Sequence, residues 1–200
     1  MITLCMDTSH RYLTLVLIDE NQVLAEVQQE CFKKQSETIL SELDHLCQGI
    51  GMSADQIDAI CITRGPGSYT GVRIAMTVAK IMCSMRKIPL YTLSTLRLFS
   101  GNFDDCLVLL DARSQRAYRA VFKEGNLVGK EEVLPLNQIK DEIKEARIVL
   151  GDSELLGCEV VKIDYAKSFL HNRMYWHQEE NVHTCVPEYL KENDDYLVKP

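Results

Sequence analysis

No stretch of this 200-residue chain approaches the roughly twenty consecutive apolar residues of a membrane span. The opening Met-Ile-Thr-Leu-Cys-Met-Asp has neither a basic region nor a cleavage site, so no secretory signal is expected. Basic residues are in deficit: 22 Lys and Arg against 29 Asp and Glu give a formal net charge of −7, which argues against a broad nucleic-acid surface. None of the eight cysteines forms a Cys-x-x-Cys pair. Several sit in apolar periodic runs, where they read as small hydrophobes kept reduced in the cytosol; a disulfide framework and a zinc site are not expected. The histidines (His10, His45, His171, His177 and His183) include no His-x-x-x-His spacing, and the last three, six apart, do not stack on one helix face. No metal site is therefore expected. Gly-Gly occurs nowhere, and no Ser/His/Asp or Cys/His grouping marks a nucleophile or a protease, so no catalytic residue is assigned.

What is present is a 46% hydrophobic chain, enough for a real core. It is organised around residues 58–88, which read as strand, tight loop and helix. Asp58 to Thr63 is a short Ile-rich run suited to a buried strand. Gly65, Pro66 and Gly67 turn the chain, and Ser68 is placed to cap a helix from about Tyr69 to Lys87, with Pro89 as its stop. The first N–H groups of such a helix are unpaired and the dipole's positive end lies behind them, which suits an anion. The loop fits neither standard nucleotide pattern: Thr70 stands where a Walker loop or a dinucleotide fingerprint needs glycine. On local sequence the glycines are read as a strand-to-helix turn, with an anion site as the alternative.

The helix has one narrow polar stripe, Arg73, Thr77, Lys80, Ser84 and Lys87, with apolar surface on both sides. A sheet covers only one side, so a second helix must cover the other, from this chain or from a partner. A core helix covered by the chain itself competes with a binding face. Met-rich surface of this kind is adaptable and common at binding faces.

Taken in order, Ile2 to Met6 is a strand closing on Asp7-Thr8-Ser9, and Leu13 to Ile18 and Val23 to Gln29 form a meander. A helix after Gln35-Ser36 carries Ile39, Leu40, Leu43, Leu46 and Cys47 on one face, and Ser53 to Gln56 has capping-box spacing. Leu90 to Leu93 is a strand, and Ser94 caps a short helix through Phe99. Beyond Gly101-Asn102 the opening pattern recurs at an offset of 104 residues: Cys106 to Leu110 closes on Asp111, and a hairpin turns at Lys123 to Asn126. A helix is expected over Gln138 to Ala146, strands near 147–150 and 160–163, and a helix near Tyr165 to Asn172. Two lobes follow, 1–101 and a smaller 102–200, each opening strand–Asp–hairpin, as in actin-like and ribonuclease-H-like architectures.

Five segments make the resemblance specific: Met6-Asp-Thr-Ser9, Arg64-Gly-Pro-Gly-Ser-Tyr-Thr-Gly-Val-Arg73, Leu93-Ser-Thr-Leu96, Leu110-Asp-Ala-Arg113 with Tyr118, and Pro187-Glu-Tyr-Leu190. In this order they resemble the TsaB (YeaZ) family from end to end. The resemblance implies a two-lobed α/β fold of the ASKHA class with a reduced second lobe. It implies a non-catalytic scaffold subunit, a degenerate paralogue of the TsaD-type transferase that it binds. That transferase forms N6-threonylcarbamoyladenosine at adenosine 37 of tRNAs reading ANN codons. The implied partners are TsaD as a heterodimer, a TsaE-type ATPase in the full complex, a second copy when alone, and tRNA only through the complex, all in the cytoplasm.

The implied partner interface is Ile39, Leu43, Ile74, Val78, Ile81, Met82 and Met85. No cofactor is firmly implied; ATP or ADP with magnesium at the complex interface stays open. The alternative reading is a degenerate ASKHA nucleotide-binding phosphotransferase or hydrolase, in which Asp7, Thr8, Ser9, Gly65, Gly67, Ser68 and Asp111 face an anion. The chain departs from the family pattern at Gln35-Ser36, where many relatives have His-Ser, and at Ser114 to Tyr118 after Asp111-Ala112-Arg113.

Overall fold

The computed structural model describes residues 1–31, 34–145 and 148–190. It opens with the expected meander: β1 (Ile2–Asp7), β2 (Tyr12–Asp19) and β3 (Gln22–Glu30), each antiparallel to the next. Helix α1 (Gln35–Gly49) returns the chain so that β4 (Ala59–Thr63) pairs parallel to β1. The link contains the Ser53 capping box, complete in both directions around Ala54–Gln56. Helix α2 (Tyr69–Arg86) crosses back, and β5 (Leu90–Leu93) pairs parallel to β4. Ser68 caps α2 by accepting from the Gly71 N–H. The helix ends at Arg86, three residues before Pro89, because Lys87 turns left-handed with φ 54°.

After α3 (Thr95–Phe99) the chain builds a second sheet from β6 (Cys106–Asp111), β7 (Arg116–Lys123) and β8 (Asn126–Pro135), again antiparallel neighbours. β7 begins and ends 104 residues after β2, and β8 begins 104 residues after β3, so the duplication is carried by the strands themselves. As β4 does beside β1, β9 (Val149–Gly151) pairs parallel to β6. Among the described residues, two single-turn helices, α4 (Leu136–Ile139) and α5 (Glu142–Glu145), lie between β8 and β9. The continuous helix expected over Gln138 to Ala146 is therefore broken near Lys140, and Ala146 lies outside the described residues. Leu136 and Ile139 point together into the outer face of this sheet.

The stretch 160–163 is not a strand. Ile163 is buried between the lobes while Val160 is exposed, and α6 (Tyr165–His171) starts directly after it under an Asp164 cap. A two-residue strand, β10 (His177–Gln178), then pairs with β5, so the chain returns to the first sheet. The strand orders are β10-β5-β4-β1-β2-β3 and β8-β7-β6-β9.

Alternation along the strands sorts the core into layers. Leu4, Met6, Leu13, Leu15, Leu17, Ile60 and Ile62 face α1 and α2. The opposite residues, Cys5, Val16, Ile18 and Cys61, meet α3, α6 and the inner face of the second sheet, where Val108 and Leu110 lie. Among the described residues no helix is long and apolar enough to cross a membrane.

Candidate functional site

The two loops that open the first lobe interlock. The Thr8 hydroxyl donates to the Gly71 carbonyl at 2.7 Å and accepts from the Ala75 N–H at 3.1 Å. The Ser68 N–H donates to the Ser9 carbonyl at 2.7 Å. A Cβ at Gly71 would stand 2.1 Å from the Thr8 carbonyl oxygen, and one at Gly67 would stand 2.6 Å from that of Ser9, so both glycines are required by close backbone approach. Gly65, at φ 112°, faces the other way and abuts the Glu188 backbone.

Asp7 is enclosed beneath these loops at 1% exposure. Its Oδ1 accepts from the Ser9 N–H at 3.1 Å, from the Ser9 hydroxyl at 2.6 Å and from the Thr63 hydroxyl. This carboxylate brackets β1, β4 and the Ser9 loop together. Of the residues named as facing an anion, Ser9, Gly67, Ser68 and Asp111 line an open cleft between the lobes. Asp7 and Thr8 lie under it, and Gly65 is turned towards the C-terminal segment.

That cleft has a volume of about 960 Å³. His10 and Arg11 reach across it from the first lobe to Asp152, which follows β9. His10 Nε2 lies 3.1 Å from each Asp152 carboxylate oxygen, and the Asp111 N–H donates to Asp152 Oδ2 at 2.7 Å. Burial works to raise the Asp152 carboxyl, but the hydrogen bond and charge of His10, the Asp111 N–H and the Arg11 charge outweigh it and hold it below its ordinary value. Asp111 itself accepts from the Arg113 N–H at 2.7 Å and pairs with its guanidinium at 2.9 Å. Gln35, the first residue of α1, is buried and donates to the His10 carbonyl at 3.1 Å. Sequence reasoning missed His10 and Asp152. The available signal was a third apolar run, 148–151, closing on an aspartate.

A second junction lies on the far side of α3. Glu131 on β8 accepts from the hydroxyl of Ser94, the residue that caps α3, and Arg97 is buried between the rings of Phe122 and Tyr175, 4.0 Å from each centroid. Burial pushes the Glu131 carboxyl up to about 7, with the nearby Glu188 charge adding to the rise against the Ser94 hydrogen bond and the charges of Arg97 and Arg64.

The outer face of α2 divides as the polar stripe implied. Val72, Ala75, Met76, Ala79 and Cys83 face the sheet, and α1 lies alongside. Ile39 and Leu43 are 1% and 4% exposed and belong to this core, while their neighbour Leu40 is 62% exposed. On α2, Ile74, Val78 and Met82 are half-buried, Ile81 is 54% exposed and Met85 is 79% exposed. Fully covering a side chain such as Leu40, Ile81 or Met85 is worth on the order of 1.5–3 kcal/mol. Between the two helices runs an apolar groove of about 420 Å³. At its end Tyr69 stacks on Tyr189, ring centroids 5.3 Å apart, with the Arg73 guanidinium 3.8 Å above the Tyr69 ring. Tyr189 belongs to a segment anchored by a Glu188 N–H bond to the Arg64 carbonyl at 2.7 Å and by the Lys80 ammonium on the His183 carbonyl at 3.1 Å.

Residues 23–142, more than half of the chain, match the family model described as TsaD: tRNA N6-adenosine threonylcarbamoyltransferase. The chain is 27% identical to the tRNA threonylcarbamoyladenosine biosynthesis protein TsaB of Bacillus subtilis over 217 residues, which covers 96% of this chain and 94% of that one. Its fold superposes on YeaZ from Pseudomonas aeruginosa with a TM-score of 0.73 at 22% identity, covering 94% of this chain and 99% of the other. A second Pseudomonas aeruginosa structure, described as having similarity to peptidase YeaZ, gives 0.76 at 19% identity, covering 95% and 99%. The architecture is the two-lobed α/β ASKHA arrangement.

Proposed function

The chain belongs to the TsaD family of tRNA N6-adenosine threonylcarbamoyltransferases, and from that membership we propose that it is the non-catalytic companion of such a transferase. In this reading it is a TsaB-type scaffold that binds and supports a TsaD-type subunit in forming N6-threonylcarbamoyladenosine on tRNA. The observation that carries the proposal is the apolar row of Ile81 and Met85 on α2 and Leu40 on α1, which the described residues leave exposed, together with the half-buried Ile74 and Val78 beside them. Helical faces of this kind bury apolar side chains against a partner much as a core does. The interface sits on α2 and the outer edge of α1, with Ile39 and Leu43 supporting it from below. In isolation the same face pairs two copies. The complex works in the cytoplasm, where tRNA and the TsaE-type ATPase are met through the partner.

The non-catalytic part of the reading is supported by Asp7. The aspartate that closes the first strand has its Oδ1 occupied by Ser9 and Thr63 within the fold. Ser9 stands where ASKHA nucleotide-binding chains usually carry glycine, in keeping with the degenerate loop.

A second reading, nucleotide binding between the lobes, is favoured by the cleft that Asp111, Asp152 and the start of α2 border. Titration of the isolated chain with Mg-ATP in a calorimeter separates the two: measurable heat supports the second reading, and its absence removes it.

The direct test of the scaffold is co-expression with the TsaD-type subunit of the same organism, followed by size-exclusion light scattering and assay of the modified nucleoside in tRNA. A heterodimer is expected for the wild type and is lost in Ile81→Asp and Met85→Asp. Loss of the gene is expected to deplete the modification. A chain that ignores the TsaD-type subunit and whose deletion leaves the modified nucleoside at normal levels would overturn the proposal.

A further inference from the structure

We propose that Arg73 is a carboxylate receptor within the docking face, and that the groove between α1 and α2 takes a helix of the partner subunit carrying an acidic side chain beside its apolar residues. The inference rests on the partner-binding reading above and adds the chemistry of what docks.

The Arg73 guanidinium lies over Tyr69 at 3.8 Å and 5.7 Å from the centroid of Tyr189, with the two rings stacked at an interplanar angle of 22°. A cation over a ring face uses the flat of the guanidinium and leaves its N–H edges directed outward. The Arg73 carbonyl accepts from the Thr77 hydroxyl at 2.7 Å, but among the described residues its guanidinium makes no hydrogen bond and no ion pair. Arg64, Arg113 and Arg119 all pair with carboxylates, so the contrast is informative in a chain with 29 Asp and Glu. Arg73 is thus held in place by aromatic contacts while no carboxylate of the described residues meets its donor fork. Part of the side-chain ordering that a bidentate ion pair demands is already done.

The surroundings select the ligand. Arg73 and Tyr69 border the groove whose walls include Ile39, Leu40, Ile74 and Val78. A planar anion at one end and an apolar trough beside it match an amphipathic helix with Asp or Glu near its apolar stripe, seated as a third member of a helical bundle. A nucleic-acid backbone matches less well, because it lacks the apolar residues and meets a chain of net charge −7. Tyr189, delivered from the far end of the described chain, becomes a positioning residue that holds the receptor flat.

The test is calorimetric titration of the TsaD-type subunit with wild type, Arg73→Gln, Arg73→Lys, Tyr189→Ala and Ile81→Asp at low and high salt, with melting curves for each chain. Arg73→Gln is expected to weaken association by roughly tenfold to a hundredfold and to flatten its salt dependence. Arg73→Lys recovers only part of the loss, Tyr189→Ala weakens binding in the same direction, and the melting temperatures of the two Arg73 variants stay at the wild-type value. If Arg73→Gln binds as tightly as wild type while Ile81→Asp does not bind, the carboxylate receptor is wrong and the docking face stands. If Ile81→Asp also binds as wild type, the docking face itself is wrong. Binding of tRNA by the isolated chain that disappears in Arg73→Gln would overturn the inference in favour of a nucleic-acid contact.

Discussion

His10 Nε2 lies 3.1 Å from each oxygen of Asp152, 142 residues further along the chain, and donates its N–H to that carboxylate, which ties the first lobe to the second across an open cleft. Arg11 approaches the same carboxylate at 3.5 Å, and the Asp111 N–H donates to it from within the second lobe. Replacing Asp152 by Asn removes a charged acceptor from three donors that remain in place. The expected cost is roughly 2–3 kcal/mol at neutral pH, read as a lower urea midpoint. Because the folded carboxyl is held below its ordinary value, its contribution is present above that value and is lost as pH falls through the folded one. The deficit of Asp152→Asn should therefore shrink in strong acid. A deficit that stayed constant across the acid range would mean that the charge plays no part.

Glu131 gives a pH dependence of opposite sign. Burial holds its proton up to about 7, whereas an unfolded glutamate gives it up near 4.5. Between those values the folded chain binds more protons than the unfolded one, so stability from this group falls as pH rises through the window and levels off above it. The full span corresponds to about 3 kcal/mol at 1.36 kcal/mol per unit. Glu131→Gln keeps an acceptor for the Ser94 hydroxyl and is expected to be more stable than wild type at pH 8, with no advantage at pH 4. Equal stability of the two proteins at both pH values would refute the assignment.

Gly71 and Gly49 make a matched pair. A methyl group at Gly71 meets the Thr8 carbonyl oxygen at 2.1 Å, whereas one at Gly49, the last residue of α1, meets nothing within 4 Å. Gly71→Ala should separate the two interlocked loops and cost on the order of 4 kcal/mol or prevent folding. Gly49→Ala should be neutral or stabilising by about 0.4–1 kcal/mol. Circular-dichroism melts of the two variants decide this, and similar midpoints would sink it.

Cys83 and Met85 lie two residues apart on opposite faces of α2, at 2% and 79% exposure. Met85→Asp should leave the stability of the isolated chain within about 0.5 kcal/mol. Cys83→Asp puts a carboxylate into the core against the first sheet and should cost several kcal/mol. Equal tolerance of both would mean that α2 is rotated from the orientation described.

The local signals in the sequence were strong where a backbone need and a residue type coincide. Ser53 with Gln56, Ser68 before Tyr69 and Ser94 before Thr95 all cap what they were expected to cap, because a side-chain oxygen beside orphan N–H groups is a local arrangement. The 104-residue repeat appears as matching strands for the same reason: both copies use strand–Asp–hairpin chemistry. Contacts made over long separations were not legible. Nothing near His177-Gln178 announces a strand, since two residues carry no periodicity and the partner, β5, lies far away in sequence. On α1 the expected apolar face holds at Ile39, Leu43, Leu46 and Cys47, but it is a core face: Ile39 and Leu43, expected at the partner interface, are buried against the first sheet, and Leu40, at the border of the stripe, is the one that packing leaves outside. The break between α4 and α5 and the absence of a strand at 160–163 reflect a small second sheet that needs little cover on its outer face. Asp152 was passed over because its partners, His10 and Arg11, sit at the opposite end of the chain.

The return of β10 to the edge of the first sheet sets an order of events during synthesis. The strands β1 to β5 are complete by Leu93, yet the edge of β5 stays open until His177 and Gln178 have been made, more than eighty residues later. At roughly 5–20 residues per second the ribosome needs several seconds to cover that distance. For that interval the nascent first lobe carries a bare strand edge, a feature that invites premature pairing. The end of the described chain therefore works as a closing seam. A ribosome stalled after the second lobe leaves a product whose first lobe is the unfinished part, so truncated chains of this protein are expected to be captured by chaperones through the half that was made first.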